Sequence, residues 1–102
     1  MIVLIGKALI RPGKRDDFLA MITESTEVSR QEPGSVSYDW FESTETENLF
    51  TVVEVWESEE AMGAHLTGDS AKDFVQTLLS FSVEPPELYR YDTPGRRLIP
   101  LG

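Results

Sequence analysis

One histidine and two aromatic residues are the strongest candidates for chemistry in this sequence. His65 is the only histidine, and an imidazole with an ordinary pKa of about 6.5 is a natural general base near neutral pH. Trp56 can stack on a flat molecule or donate its indole N–H, and Tyr38 can donate a hydrogen bond to a substrate oxygen. Each residue also has a structural interpretation: His65 as a helix histidine bonded to a backbone carbonyl, Trp56 as packing, Tyr38 as a half-buried strand residue.

Glu54 is the carboxylate most closely tied to these candidates, because it shares a strand face with Trp56. A carboxylate on a face buried in a dimer must be paired or have a raised pKa. The structural alternative is an ion pair with Lys7, Arg90 or an arginine of a partner chain. Three apolar residues are candidates to line a substrate pocket beside Glu54, although strand aromatics usually belong to a core: Trp40, Phe50 and Met62.

Composition argues against several other kinds of chemistry and partner. The 102 residues contain no cysteine, so thiol nucleophiles and thiolate metal sites are absent, and one histidine cannot build a three-histidine zinc site. We therefore predict no metal site. The net charge of −9 disfavours nucleic acid and anionic membranes, and no stretch is long enough to span a bilayer. The absence of cysteine fits a cytoplasmic protein, which we expect.

The segment from Glu54 to Leu66 positions the candidate base. Its first residues end a strand that begins at Leu49, and Ser58 is a good N-cap for a helix from Glu59 to about Leu66. Met62, His65 and their apolar neighbours recur at helical spacing. The sequence therefore predicts that His65 faces inward, close to the end of the strand that carries Trp56.

The remaining segments complete an α+β pattern. Apolar periodicity and turn residues predict strands at 2–10, 36–42 and 88–91, a helix at 15–31, and a second helical segment that starts with Ser70 as its N-cap and ends before Pro85. Strand, helix, strand, strand, helix, strand is the split β-α-β order of a ferredoxin-like fold with a four-stranded antiparallel sheet. We expect one domain over 1–92 and a tail over 93–102, whose apolar end docks on the body or on a partner subunit.

The first and third strands are apolar on both faces, which a single helical layer does not explain. If both helices cover one face of the sheet, something else must bury the other. A second copy of the same sheet is the simplest cover, so the pattern predicts a homodimer.

Two stretches of this chain resemble the antibiotic biosynthesis monooxygenase domain. They are Glu32-Pro33-Gly34-Ser35-Val36-Ser37-Tyr38, and Glu54-Val55-Trp56-Glu57-Ser58-Glu59-Glu60-Ala61 followed by His65-Leu66. The most specific part is the spacing Glu-x-Trp-x-Ser-x-Glu-Ala-x-x-x-His. The resemblance covers nearly the whole chain and implies a dimeric α/β barrel. It also implies a link to small monooxygenases that oxidise phenolic or quinol-type polycycles with no metal or flavin.

Two positions depart from the family pattern. Many relatives carry a second histidine where this chain has Ser70, and the haem-degrading branch uses an asparagine on the first strand where this chain has Gly6. Without a second histidine as an iron ligand, haem binding or degradation is the least favoured interpretation.

The resemblance and the residues together lead to a functional hypothesis. We expect a cofactor-independent monooxygenase that oxidises a hydroxylated aromatic or quinol-type molecule with O2, with His65, Trp56 and Tyr38 as catalytic residues. We expect its substrate contacts to be Glu54, Trp40, Phe50 and Met62. The alternative is a non-catalytic dimeric barrel that binds a small apolar ligand.

Overall fold

The computed structural model describes residues 1–102 and contains four strands and three helices. The helix that carries His65 and the last helix are separate, as the sequence predicts, and Gly68 lies between them as the N-cap of the last helix in place of the expected Ser70. No helix is both long enough and apolar enough to cross a membrane. The elements are β1 (Ile2–Leu9), α1 (Arg15–Arg30), β2 (Ser35–Glu42), β3 (Leu49–Trp56), α2 (Glu59–Thr67), α3 (Asp69–Phe81) and β4 (Glu87–Asp92).

The four strands form one sheet in the order β2-β3-β1-β4, and every neighbouring pair is antiparallel. Strand β4 is an edge strand, as its position after Pro85-Pro86 predicts. This order and the intervening helices confirm the ferredoxin-like α+β fold.

The two faces of the sheet have different surroundings. Side chains alternate along a strand, so the even-numbered residues of β1 and β3 share the face that the helices cover. On this face two hydrophobic clusters form, one around Trp56 and one around Phe18, and both rings are fully buried. The opposite face, here called the open face, has no helix on it and carries Val3, Ile5, Val53, Tyr89 and Tyr91.

Helix α2 is fixed at its start by a cap and by a close contact with the turn before β2. The Ser58 hydroxyl accepts a hydrogen bond from the Ala61 amide at 3.2 Å, as the sequence predicts. Gly34 has φ +83°, and a Cβ added there would lie 2.4 Å from the Ala61 Cβ. The close approach requires glycine, and it holds the turn that carries Glu32 against the helix that carries His65.

We expect Gly34→Ala to destabilise the fold strongly. The positive φ costs about 1–2 kcal/mol with a Cβ, and the collision with Ala61 adds about 1–3 kcal/mol. Gly13→Ala is the matched control, because Gly13 has φ +89° and open space around the added Cβ. Urea unfolding of the two variants should therefore differ by the collision alone. Equal loss of stability in both would show that the turn and α2 are not packed as closely as described.

Residues 93–102 extend from β4 as the tail. Thr93 is held by two backbone hydrogen bonds of 3.0 Å with Met1, one in each direction. Beyond it, the apolar side chains Leu98, Ile99 and Leu101 are 75–97% exposed. The apolar end of the tail therefore does not dock on the body of its own chain.

Candidate active site

A cavity of about 560 Å³ lies between the helix-covered face of the sheet and helices α1 and α3. Tyr38, Trp40, Glu54 and His65 all line it. Four of the residues singled out by sequence reasoning are thus brought together on one wall. The structure contains no group of three or more His, Cys, Asp or Glu side chains arranged to hold a metal ion.

His65 lies where the spacing of α2 predicts, facing inward against the end of β3. Its ring stacks on the indole of Trp56, with 4.6 Å between centroids and 27° between planes. The side chain is only 10% exposed. Trp56 is fully buried and does not line the cavity, so it supports the imidazole from behind.

Two carboxylates contact opposite nitrogens of the His65 ring. Nδ1 is 3.0 Å from Oε1 of Glu32, and Nε2 is 3.5 Å from Oε1 of Glu54. A carboxylate accepts hydrogen bonds, so Glu32 favours the tautomer with the proton on Nδ1. In that tautomer Nε2 carries the lone pair, lies beside Oε1 of Glu54 and can accept a proton.

Glu54 faces the helices, not the open face, and this corrects the expectation that it lies in a dimer interface. The expected ion pairs with Arg90 and Lys7 are also wrong. Arg90 is paired with Glu59 and Asp92, and Lys7 lies on the other face because it alternates with Gly6 and Ala8. The partners of Glu54 are instead His65 and the indole N–H of Trp56, which donates to Oε1 at 3.1 Å.

Burial raises the pKa of the Glu54 carboxyl, and the nearby Glu32 raises it further, whereas the Trp56 hydrogen bond and His65 act in the opposite direction. Because its pKa is raised, the carboxyl binds its proton more tightly in the folded state than in the unfolded state. Glu54 therefore stabilises the folded protein at pH values below its unfolded pKa. That stability is lost as the pH rises through the folded value.

We accordingly expect Glu54→Gln to gain stability relative to the parent protein as the pH rises above 4.5, the ordinary pKa of a glutamate. Glutamine retains an oxygen that can accept the Trp56 N–H bond, while it removes the buried charge. Urea unfolding midpoints at a series of pH values measure the difference. A difference that is constant with pH, or that falls as the pH rises, would contradict the burial assigned to this carboxyl.

Tyr38 is buried beside His65, with ring centroids 5.9 Å apart. Its hydroxyl lies 3.2 Å from the Ser25 hydroxyl and accepts the indole N–H of Trp40 at 3.3 Å. Burial is the main reason that the pKa of Tyr38 is raised, and the negative charge of Glu54 adds to it. Tyr38 therefore stays protonated near neutral pH and can donate a hydrogen bond.

The apolar candidates are placed differently from one another. Trp40 lines the cavity and packs on Phe74, with 5.9 Å between the ring centroids. The two rings form an aromatic wall. Phe50 and Met62 do not line the cavity, because both point into the hydrophobic clusters and are 2% and 7% exposed. They have the structural role that strand aromatics and helix stripes usually have.

Glu32 is the residue of this site that sequence reasoning missed. It precedes Pro33-Gly34, a pattern that ends helices, and it belongs to the quoted family stretch. Its contact with His65 spans 33 positions and depends on the packing of Gly34 against Ala61. Ser25 is a second missed residue, and its hydroxyl contacts that of Tyr38. The only signal for it in the sequence is a polar side chain on the otherwise apolar stripe of α1.

The fold and cavity define a ferredoxin-like α+β protein with a histidine held between carboxylates. Residues 1–77 match the sequence model of the family named antibiotic biosynthesis monooxygenase. This chain belongs to that family, which confirms the resemblance stated above.

Two curated proteins illustrate the relationship. An uncharacterised Synechocystis protein is 31% identical over 90 residues, which are 88% of this chain and 61% of that protein. The chain thus spans less than two thirds of that relative. YcnE of Bacillus subtilis, whose assignment as a monooxygenase is provisional, is 40% identical over 65 residues, 64% of this chain and 68% of YcnE.

Solved structures share the fold at low sequence identity. A Deinococcus radiodurans protein, provisionally assigned as an antibiotic biosynthesis monooxygenase, has a TM-score of 0.91 and 20% identity, with both chains fully covered. SnoaB from Streptomyces nogalater, described as a cofactor-independent oxygenase, has a TM-score of 0.80 and 13% identity, covering 93% of this chain and 94% of SnoaB. At these identities the likeness shows the fold alone.

Proposed function

We propose that this protein is a cofactor-independent monooxygenase that oxidises a hydroxylated aromatic or quinol-type molecule with O2. The observation that carries the proposal is His65, held between Glu32 and Glu54 on the wall of a cavity with aromatic sides. Family membership and the description of SnoaB as a cofactor-independent oxygenase support it.

The first step assigned to the site is removal of the substrate's phenolic or activated C–H proton. Nε2 of His65 takes this proton, and Glu32 and Glu54 stabilise the imidazolium that forms. Trp56 keeps the ring in place by stacking. Tyr38 donates a hydrogen bond to the substrate oxygen, which offsets the negative charge that develops there.

The second step is the reaction with dioxygen, which is slow with closed-shell molecules because O2 is a triplet. The electron-rich anion passes one electron to O2, and the two radicals combine at carbon to give a hydroperoxide anion that takes a proton. Loss of water from this hydroperoxide leaves a carbonyl. For a naphthol the balance is one substrate plus one O2 giving one quinone plus one water, so one oxygen atom enters the product.

The test is oxygen uptake by metal-stripped protein, in the presence of a chelator, with a panel of anthrones, naphthols and hydroquinones. The proposal predicts uptake above the autoxidation rate of the buffer for at least one class, with one oxygen atom of O2 in the product. Glu45→Gln is a suitable control, because Glu45 lies exposed in the β2–β3 loop, remote from the cavity lining. Rates no higher than buffer across all three classes would count against the proposal.

The alternative function, binding of an apolar ligand without chemistry, is favoured by the mouth of the cavity. Five apolar side chains that line it are 38–54% exposed: Val28, Leu66, Val75, Leu79 and Leu88. A protein that only binds would show saturable binding of an aromatic ligand with no oxygen uptake above background.

We also propose that the active protein is a homodimer in which two open faces pack together and each tail docks on the partner subunit. The supporting observations are the exposed apolar side chains of both regions, including Tyr89 and Tyr91 at 55% and 52%. Apolar patches of this kind commonly mark interfaces.

The dimer predicts that Val53→Lys yields a monomer. Val53 lies centrally on the open face between Ile5 and Asp39, and in a single chain water can solvate the new ammonium there. Burying that charge against a second sheet would cost several kcal/mol. Sedimentation velocity should therefore show a dimer for the parent protein and a folded monomer for the variant, whereas a monomeric parent protein would refute the interface.

A further inference from the structure

The charged groups that line the cavity are almost all acidic. Five carboxylates line it: Glu24 on α1, Glu32 after it, Glu54 on β3, Asp73 on α3 and Glu87 on β4. Glu87 lies opposite Lys7 in the sheet, on the strand parity of the open face. Glu24 and Asp73 are exposed, and neither takes part in an ion pair. No basic side chain therefore neutralises either carboxylate.

Basic residues are nearly absent from the cavity lining. Lys7 is the one Lys or Arg residue among those that line the cavity, and strand alternation places its ammonium on the open face. Arg30 is paired with Asp39 on the outside of β2, and Arg90 with Glu59 and Asp92. His65 can gain a positive charge, but it already lies between Glu32 and Glu54.

This distribution of charge has a consequence for what the cavity can hold. A permanently anionic substituent would meet unpaired carboxylates in a cleft whose low-dielectric walls strengthen the repulsion. A cationic substituent would be attracted by the same carboxylates. It would also be attracted by the faces of Trp40 and Phe74, whose rings form the aromatic wall.

We propose that the cavity selects its substrate by charge, taking a neutral or cationic hydroxylated aromatic and excluding one with a carboxylate, sulfate or phosphate substituent. The proposal rests on the proposed function for the hydroxylated aromatic part of the ligand. The charge preference itself comes from Glu24 and Asp73 at the cavity and from the absence of an opposing cation.

The test is a binding series with 1-naphthol carrying a methyl, an aminomethyl or a carboxymethyl group at position 6, which leaves the ring carbons ortho and para to the hydroxyl free to react. Affinities are measured by isothermal titration calorimetry without oxygen, so that binding is separated from turnover. Each Kd is expressed relative to that of the neutral methyl compound in the same protein. At low salt we expect the aminomethyl compound to bind at least about tenfold more tightly than the carboxymethyl compound, and the ratio to shrink at about 1 M salt.

A double variant, Glu24→Gln with Asp73→Asn, identifies the groups responsible. We expect it to reduce the ratio between cationic and anionic ligands to below about threefold, whereas Glu45→Gln keeps the ratio of the parent protein. Both substituted carboxylates are exposed, so the fold is expected to tolerate the change, and circular dichroism checks it.

Three results would overturn the charge selection. They are equal or tighter binding of the anionic naphthol, a ratio that the double variant leaves unchanged, and no measurable binding of the cationic naphthol at millimolar concentration. Absence of oxygen uptake with all three compounds would count against the monooxygenase proposal alone. A charge preference that survived in that case would be the specificity of a binding protein.

Discussion

His65→Ala is expected to lower kcat for oxygen uptake by about 10²–10⁴-fold, the usual contribution of a positioned general base. The loss arises because Nε2 is the group assigned to remove the substrate proton. Glu54 cannot replace it efficiently, since Glu54 is buried and already accepts the Trp56 hydrogen bond. Initial rates with the best compound of the panel, corrected for autoxidation, give the measurement.

The alanine variant also removes the partner of two carboxylates and leaves a gap against Trp56, so its folding must be tested separately. Imidazole added to the buffer can occupy that gap, and partial recovery of uptake with rising imidazole would identify the missing group as a base. His65→Gln, which keeps more of the volume, should be as inactive as the alanine variant. Turnover by a folded His65→Ala protein at the parent rate would show that His65 is not the base.

Glu32→Gln is expected to reduce kcat by about 10²-fold. The amide of the new glutamine can donate an N–H to Nδ1 of His65. This favours the imidazole tautomer with its proton on Nε2, the atom that must be unprotonated to act as the base. In a buried catalytic triad, loss of the correct histidine tautomer lowers kcat by about 10⁴-fold. The effect should be smaller here, because the Glu32 side chain is 28% exposed. Steady-state kinetics should show the change in kcat with little change in KM, because Glu32 acts through His65.

The pH profile separates this positioning role from a purely structural one. If Glu32 orients and stabilises the imidazolium, the ascending limb of kcat against pH should move in Glu32→Gln, whereas Glu45→Gln should retain the limb of the parent protein. Glu32→Asp, which keeps the charge, should recover part of the activity. A variant that loses stability but retains the parent kcat and pH profile would show that Glu32 only supports the fold.

Local spacing was enough to predict much of the fold and part of the site. The helical period around Met62 and the cap at Ser58 placed His65 on the inner face of α2, next to Trp56, and the structure agrees. The order of periodic segments gave the split β-α-β fold, which the sheet order confirms.

Long-range packing decided the rest. Strand parity placed Glu54 with Trp56 correctly, but both faces of β3 are apolar, so parity did not reveal which face the helices cover. The partnership of Glu32 with His65 depends on a turn that packs against a helix far along the chain, which no local pattern encodes. Phe50 and Met62 were misplaced for a related reason, since residue type alone does not distinguish a cavity wall from a core.

The most direct test of the central claim is mass spectrometry of the product formed under ¹⁸O₂ from the best naphthol or anthrone, using metal-stripped protein with chelator. The account predicts a quinone that contains one ¹⁸O atom, formed at a rate that falls to the autoxidation rate in His65→Ala. A product without ¹⁸O, or labelled product formed equally fast by a folded His65→Ala protein, would contradict a monooxygenase that uses His65 as its base.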